Sequence, residues 1–444
     1  MNSKRVRWFI LILLLLCVAG AFLVRYLPSR GVQKELDRIR AEGFPASTVE
    51  LDDWYRAGLV AQNQALAIME ASKVLVEPDK EADPTRFGSF KPGYELTAEM
   101  NEEMAAYVAT NQPALDLLKQ AADLPESRYP IDLSQGAATL LPHLAKIKRL
   151  VILLRMEAVQ HSRLGQVDAA VESVATSFAL ARSLRNEPLL ISDLVRIASV
   201  AITLTALERL LSEHQLSEAQ LKRLSILAAQ AEADGPMAFA RALAGERAGG
   251  LSVFKLTRSE LEQLSATQSD TGAGEILETL KYQAYRATGM QYRDLSLYLD
   301  LMGEYIRSAQ AGFPESLKRT RLVEKDANER LSRGLGRFAM ISRILLPHIA
   351  KAAGKEANLS ARLRFVQIAL AVERYRLEHQ GSIPERLDQI APHYIFKVPP
   401  DPFTGTSPEL EPVPGQGYRI TSAASAEERG LAKNSNELGF SVLR

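Results

Sequence analysis

The chain has 444 residues, 46% hydrophobic and 24% charged, the balance of an ordinary globular protein. Its first 30 residues hold five Lys and Arg and no acid; beyond them 49 basic residues face 53 acidic ones, a net charge of −4 that carries no basic footprint for nucleic acid. Cys17 is the only cysteine, which excludes an internal disulfide and a Cys-based metal site and leaves stability to packing.

Trp8 to Val24, WFILILLLLCVAGAFLV, carries no charge. As a helix it reaches about 25 Å, the short end of what crosses a bilayer core. Lys4, Arg5 and Arg7 precede it and Arg25 and Arg30 follow, which favours the N-terminus inside and the bulk outside the cytoplasm. An uncleaved anchor through residues 8–24 is the favoured reading. A cleaved signal would exit at Ala19-Gly20-Ala21, but Phe22, Leu23 and Val24 continue the apolar run past it. A lipoprotein signal would modify Cys17, and Leu16 is too large for the residue before it.

Downstream, Val32 to Arg40 reads as a helix ended by Gly43-Phe44-Pro45, and Leu51 to Leu75 as a second helical stretch. Pro78, Pro84, Pro92, Gly88 and Gly93 make a linker of Val76 to Tyr94. Thr97 caps the next helix with Glu99 in its first turn, and Pro125 and Pro130 break the chain over Leu124 to Gly136. Leu150 to Leu164, Gly165, and Val167 to Leu184 form a helical hairpin. Leu194, Ile197, Ala201, Leu204, Leu207 and Leu211 make an amphipathic stripe, so Arg209 is expected in solvent. Asp193, Arg196 and Glu208 interrupt Leu189 to Leu211, so no second apolar run is expected to approach membrane-spanning length. Ser217 to Gln220 is a capping box. Further helices are expected over Met237 to Phe254, Gly274 to Tyr285, Tyr292 to Gln310 and Phe338 to Ala353, with a polar loop over Ser265 to Gly274. No strand-like alternation occurs before about residue 394. The C-terminal segment then offers a helix from about Leu359 to His379, a short helix opened by Pro384 with Leu387 and Ile390 on one face, a rigid turn around Asp401, and a strand over Gly417 to Thr421.

Three resemblances follow from particular residues. EAVQHSRLGQVDAAVESVATSFALA resembles one tetratricopeptide-type unit, with Gly165 as its tight turn, although no 34-residue recurrence accompanies it. ALAVERYRLEHQGSIPERLDQIAPHYIFKVPPDPFTG is similar to the region after the long helix in the major pseudopilins of type II secretion. The chain departs from that pattern at its N-terminus and has Ala423-Ala424-Ser425 in place of a calcium loop, so filament assembly is not implied. RYPIDLSQG, LPHL, GERA and DPFTG resemble stretches of large single-anchor bacterial envelope proteins, a group to which no activity attaches.

No zinc-protease His pair, G-x-S-x-G elbow, P-loop or G-x-G-x-x-G is present, so no catalytic residue, cofactor or metal ligand is assigned. Arg128, Tyr129 and Asp132 sit in the Pro-flanked break where a ligand pocket could form, though turn chemistry also explains them. His143 opens the following helix as a packed, capping or pocket residue. Glu246 and Arg247, in a small-residue run, are expected to form a buried ion pair, and Asp401 to close an Asx turn.

The sequence thus implies a mainly α protein. Residues 1–30 form an anchor, 31–94 a helical segment and linker, 95–357 an extracytoplasmic α-helical domain with one tetratricopeptide-like unit, and 358–444 a small pseudopilin-like α+β module. The expected place is the bacterial inner membrane, single-pass. The expected role is interaction or scaffolding with an envelope protein partner and no nucleic acid. The alternatives are an accessory of a secretion or pilus-like machine, or an envelope hydrolase with a pocket near Arg128 to His143.

Overall fold

The computed structural model describes residues 29–56, 62–77, 90, 92–265, 273–415, 417–424 and 438–444. The apolar run 8–24 and most of the polar loop 265–274 lie outside them.

Local chemistry places the first helices. Helix α1 covers residues 29–41 and ends at Gly43, whose φ of +81° few side chains tolerate. The stretch expected as one helix over Leu51 to Leu75 is two, α2 Thr48–Arg56 and α3 Gln64–Val74, the second capped by Asn63, whose side chain accepts from the Ala65 N–H. Thr97 caps α4 (Ala98–Thr110) as expected, and α5 (Gln112–Ala121) follows directly. The hairpin is present: α6 (Pro142–Arg163) and α7 (Val167–Arg182) turn at Gly165, whose φ is +68°.

Helix α8 (Leu190–Glu213) is, among the described residues, the one helix long and apolar enough to cross a membrane by length and composition, contrary to the expectation that no second run qualifies. In the fold it is a core helix, packed between α7, α9 (Glu218–Val253) and α15 (Ile349–Glu378). Both of its faces are buried. Leu204 and Leu207 lie on one, and Asp193, Arg196, Ser199, Thr203 and Arg209 are buried as well. The expectation that Arg209 faces solvent is therefore wrong. Its guanidinium meets Glu213 at 2.6 Å and donates to the Tyr94 carbonyl at 3.1 Å.

The capping box at Ser217 opens α9, which runs 36 residues through Pro236, so the helix expected to begin at Met237 is the second half of a longer one. Next come α10 (Arg258–Ser265), α11 (Ala273–Ala287), α12 (Met290–Ala309) and α13 (Glu315–Ser332). The helix expected over Phe338 to Ala353 is replaced by a 3-10 turn at Gly334–Phe338, the one-turn α14 (Ser342–Leu345) and a second 3-10 turn at Leu346–His348. Helix α15 then begins at Ile349, ten residues before the expected start, so the expected boundary at 357/358 falls inside it. Leu387–Ile390 is a 3-10 turn with both apolar residues buried.

The expected strand at Gly417–Thr421 is the centre, β2, of an antiparallel sheet ordered β1-β2-β3 with β1 Glu409–Val413 and β3 Gly439–Leu443. Alternation puts Tyr418, Ile420, Phe440 and Val442 on the inner face, all buried against a core shared with α7, α8, α9 and α15. A second core gathers α2 to α6, and a third gathers α1, α12, α13 and the C-terminal half of α9. Asp401 closes its Asx turn: its Oδ1 accepts from the Phe403 N–H at 2.7 Å.

Candidate functional site

Of the four pocket candidates, Arg128, Tyr129 and His143 come together and Asp132 stands apart. The break at 125–133 is pinned by Asn63, whose side chain accepts from the Arg128 N–H at 2.8 Å and donates to the Arg128 carbonyl at 2.7 Å. That places the Arg128 guanidinium 5.8 Å from the Tyr55 ring centre, a cation–π approach. The Tyr129 N–H donates to the Tyr55 hydroxyl at 2.8 Å, and the Tyr129 hydroxyl shares a 2.8 Å hydrogen bond with Ser183. The Tyr129 ring stacks on His143, 4.4 Å between centres and 18° between planes. His143, in the first turn of α6, meets Glu187 at 2.7 Å through Nε2.

Arg128 is half-buried and the rest of the cluster is buried; Tyr129 and Glu187 are 1% and 2% exposed. Burial and the nearby Glu187 charge push the Tyr55 hydroxyl far above its usual pKa. Burial does the same at Tyr129, so neither phenol supplies a proton carrier near neutrality. The remaining Glu187 oxygen, Oε2, is buried without a hydrogen-bond partner. Asp132 is exposed and serves its own turn, accepting from the Ser134 N–H at 3.1 Å and from Gln135 at 3.0 Å. Chemically the cluster is a tie: it holds the 125–133 break against α6 and the turn after α7. The sequence offered no signal for Tyr55, Asn63, Ser183 or Glu187, because their roles depend on contacts 44 to 74 residues away.

The expected Glu246–Arg247 pair does not form. Neighbours on a helix point about 100° apart. The Glu246 carboxylate accepts from the Leu190 N–H at 2.9 Å, capping α8, while Arg247 lies 5.4 Å over the Phe44 ring. Desolvation raises the Glu246 carboxyl and lowers the Arg247 guanidinium. The small residues around them do permit close approach. A Cβ at Gly245 would overlap the Pro188 carbonyl, and one at Gly250 the Tyr298 hydroxyl.

A second buried cluster went unforeseen as a unit. Arg196 on α8 donates from Nε to Asp193 at 2.8 Å and from Nη2 to Glu356 on α15 at 2.6 Å. Burial pushes the Glu356 carboxyl up to about 7, against the pull of the Arg196 charge. A cavity of about 200 Å³ reaches Arg196 between Phe178, Arg182, Leu227 and Asp234. A larger one, about 630 Å³, lies between α1, α12, α13 and the 3-10 turn at 334–338. Among the described residues no group of three or more His, Cys, Asp and Glu is placed to hold a metal ion.

Comparison with protein-family models, with curated proteins and with solved structures finds no match to this chain.

Proposed function

We propose that the chain is a membrane-anchored extracytoplasmic interaction protein of the bacterial envelope, held by residues 8–24, with the helical body as its binding surface. One observation carries the reading. The two buried polar clusters are tied within the body, His143 to Glu187 and Arg196 to Asp193 and Glu356, whereas large apolar side chains stand in solvent. Phe396 is 91% exposed, Leu140 82%, Leu322 67% and Phe338 56%. An exposed aromatic or Leu of this kind gains most by being covered by another surface.

The second reading, an accessory of a secretion or pilus-like machine, is favoured by the C-terminal order of long helix, 3-10 turn and Asp401 turn, the order of the pseudopilin-like segment. Crosslinking in intact cells followed by purification from detergent-solubilised membranes tests the proposal. A stoichiometric envelope protein partner, lost with Phe396→Ser or Leu140→Ser, is expected. Crosslinked chain recovered only at its own monomer mass would overturn it.

A further inference from the structure

From Arg330 to Lys355 the sequence holds six Lys and Arg and no acid, the nearest acids being Glu329 and Glu356. Within it RGLGRFAMISRILLPH, over 333–348, alternates Arg333, Arg337 and Arg343 with Leu335, Phe338 and Ile344. All six of these side chains are exposed. Arginines interleaved with Phe, Leu and Ile on a surface are the composition of segments that lie in the interface of an anionic bilayer, the apolar groups dipping and the guanidinium groups resting on phosphates.

The segment is braced from beneath. Asp294, buried on α12, accepts from the Ile341 N–H at 2.9 Å, from the Ser342 N–H at 3.3 Å and from the Tyr285 hydroxyl at 2.8 Å, and the Ser342 hydroxyl also donates to it. A segment fixed in this way presents its apolar side chains without losing much freedom on docking.

Its position supplies the occupant. Gly31, at the start of α1, lines the same 630 Å³ groove as Leu335, Phe338 and Arg333. Only six residues lie between Val24, the last of the apolar run, and Gly31, a reach of at most about 25 Å over seven steps. Val32 and Ile39 are buried in the core beside this groove, so the start of α1 is fixed to the body.

We infer that the 333–344 segment and the groove beside Gly31 seat the body on the anionic phospholipid surface of the same bilayer that residues 8–24 cross. This rests on the anchored reading above. Arg333 and Arg337 would meet lipid phosphate, while Leu335, Phe338 and Ile344 enter the headgroup–acyl boundary. Arg330 is held by Asp300 and Asp326 at 2.5 and 3.3 Å, and Arg333 lies 3.6 Å from Glu329, an exposed pair that a lipid phosphate would have to displace.

The test uses the full chain in vesicles of phosphatidylcholine with phosphatidylglycerol whose acyl chains carry a nitroxide quencher. One sample is labelled with an environment-sensitive fluorophore at the native Cys17. Two others carry Cys17→Ala with Phe338→Cys or Ile226→Cys, both at exposed positions. Quenching is expected at positions 17 and 338 and not at 226. The Arg333→Gln and Arg337→Gln variants should each shift the seated-to-unseated ratio about fivefold toward unseated, as should loss of a phosphate contact generally. Quenching at 17 with position 338 as bright as 226 would overturn the seating and leave the anchor intact; brightness at 17 would overturn the anchor. Equal quenching at 338 in pure phosphatidylcholine would overturn the role given to anionic lipid.

Discussion

Arg196 on α8 and Glu356 on α15 are 160 residues apart in sequence and share a 2.6 Å charge-assisted hydrogen bond inside the core. Glu356 can stand there because Gly235 on α9 has no Cβ; one built at that position would overlap the carboxylate. Asp193 takes the Nε side of the same guanidinium, so one positive charge serves two carboxylates, and Asp193 Oδ2 is buried without a partner. Such an arrangement favours a proton on one of the acids.

A pH dependence follows. The Glu356 carboxyl is pushed from 4.5 to about 7, chiefly by burial. The folded state therefore holds this proton more tightly than the unfolded chain. The associated stability is complete below about pH 4.5 and is lost as pH rises through about 7, an effect on the order of 3 kcal/mol. Glu356→Gln removes the titrating group and keeps an oxygen for Arg196. Urea unfolding of the detergent-solubilised chain from pH 4.5 to 8 should show the variant gaining on the wild type as pH rises. A constant difference would count against a protonated Glu356.

At the candidate site the tie predicts a structural penalty. His143→Ala leaves Glu187 buried with neither oxygen paired, a loss of roughly 1–3 kcal/mol for a buried acceptor left without its partner. Glu187→Gln, which keeps an oxygen within reach of the imidazole, should lose less. Both numbers come from unfolding midpoints, and a fully stable His143→Ala would mean that water reaches Glu187.

Leu204→Ala, on the stripe of α8, should destabilise the body by roughly 2–5 kcal/mol, because Leu204 is fully buried. Arg209→Ala should also destabilise it, by about 1–3 kcal/mol, since Glu213 and the Tyr94 carbonyl lose their donor. Thermal melts of the two variants beside the wild type check both, and a neutral Arg209→Ala would show that its contacts are dispensable.

Arg209 marks where the sequence stopped being legible. The stripe through Leu204 and the caps at Thr97 and Ser217 were readable because periodicity and capping act within a few residues. The polar face of α8 reads as solvent-facing by the same rule, yet it is buried because Glu356 and the Tyr94 carbonyl arrive from distant segments. The helix expected from Met237 starts instead at Glu218, because packing along 36 residues outweighs the one hydrogen bond that Pro236 removes. At the candidate site, Tyr129 and His143 were legible as unusual residues, but Glu187, which decides that they form a tie, was not. Strands β1 and β3 escaped notice since Glu409–Val413 is mostly exposed and β3 gains its meaning only by pairing with β2.

We propose that the body lies outside the cytoplasm behind an uncleaved anchor at residues 8–24. Reporter enzymes fused after Arg444 test it most directly, one active only outside the cytoplasm and one only inside, with membranes washed in carbonate. Activity of the outside reporter alone is expected, in a full-length protein that stays with the membrane. Activity of the cytoplasmic reporter alone, or release of a shortened chain by the wash, would contradict it.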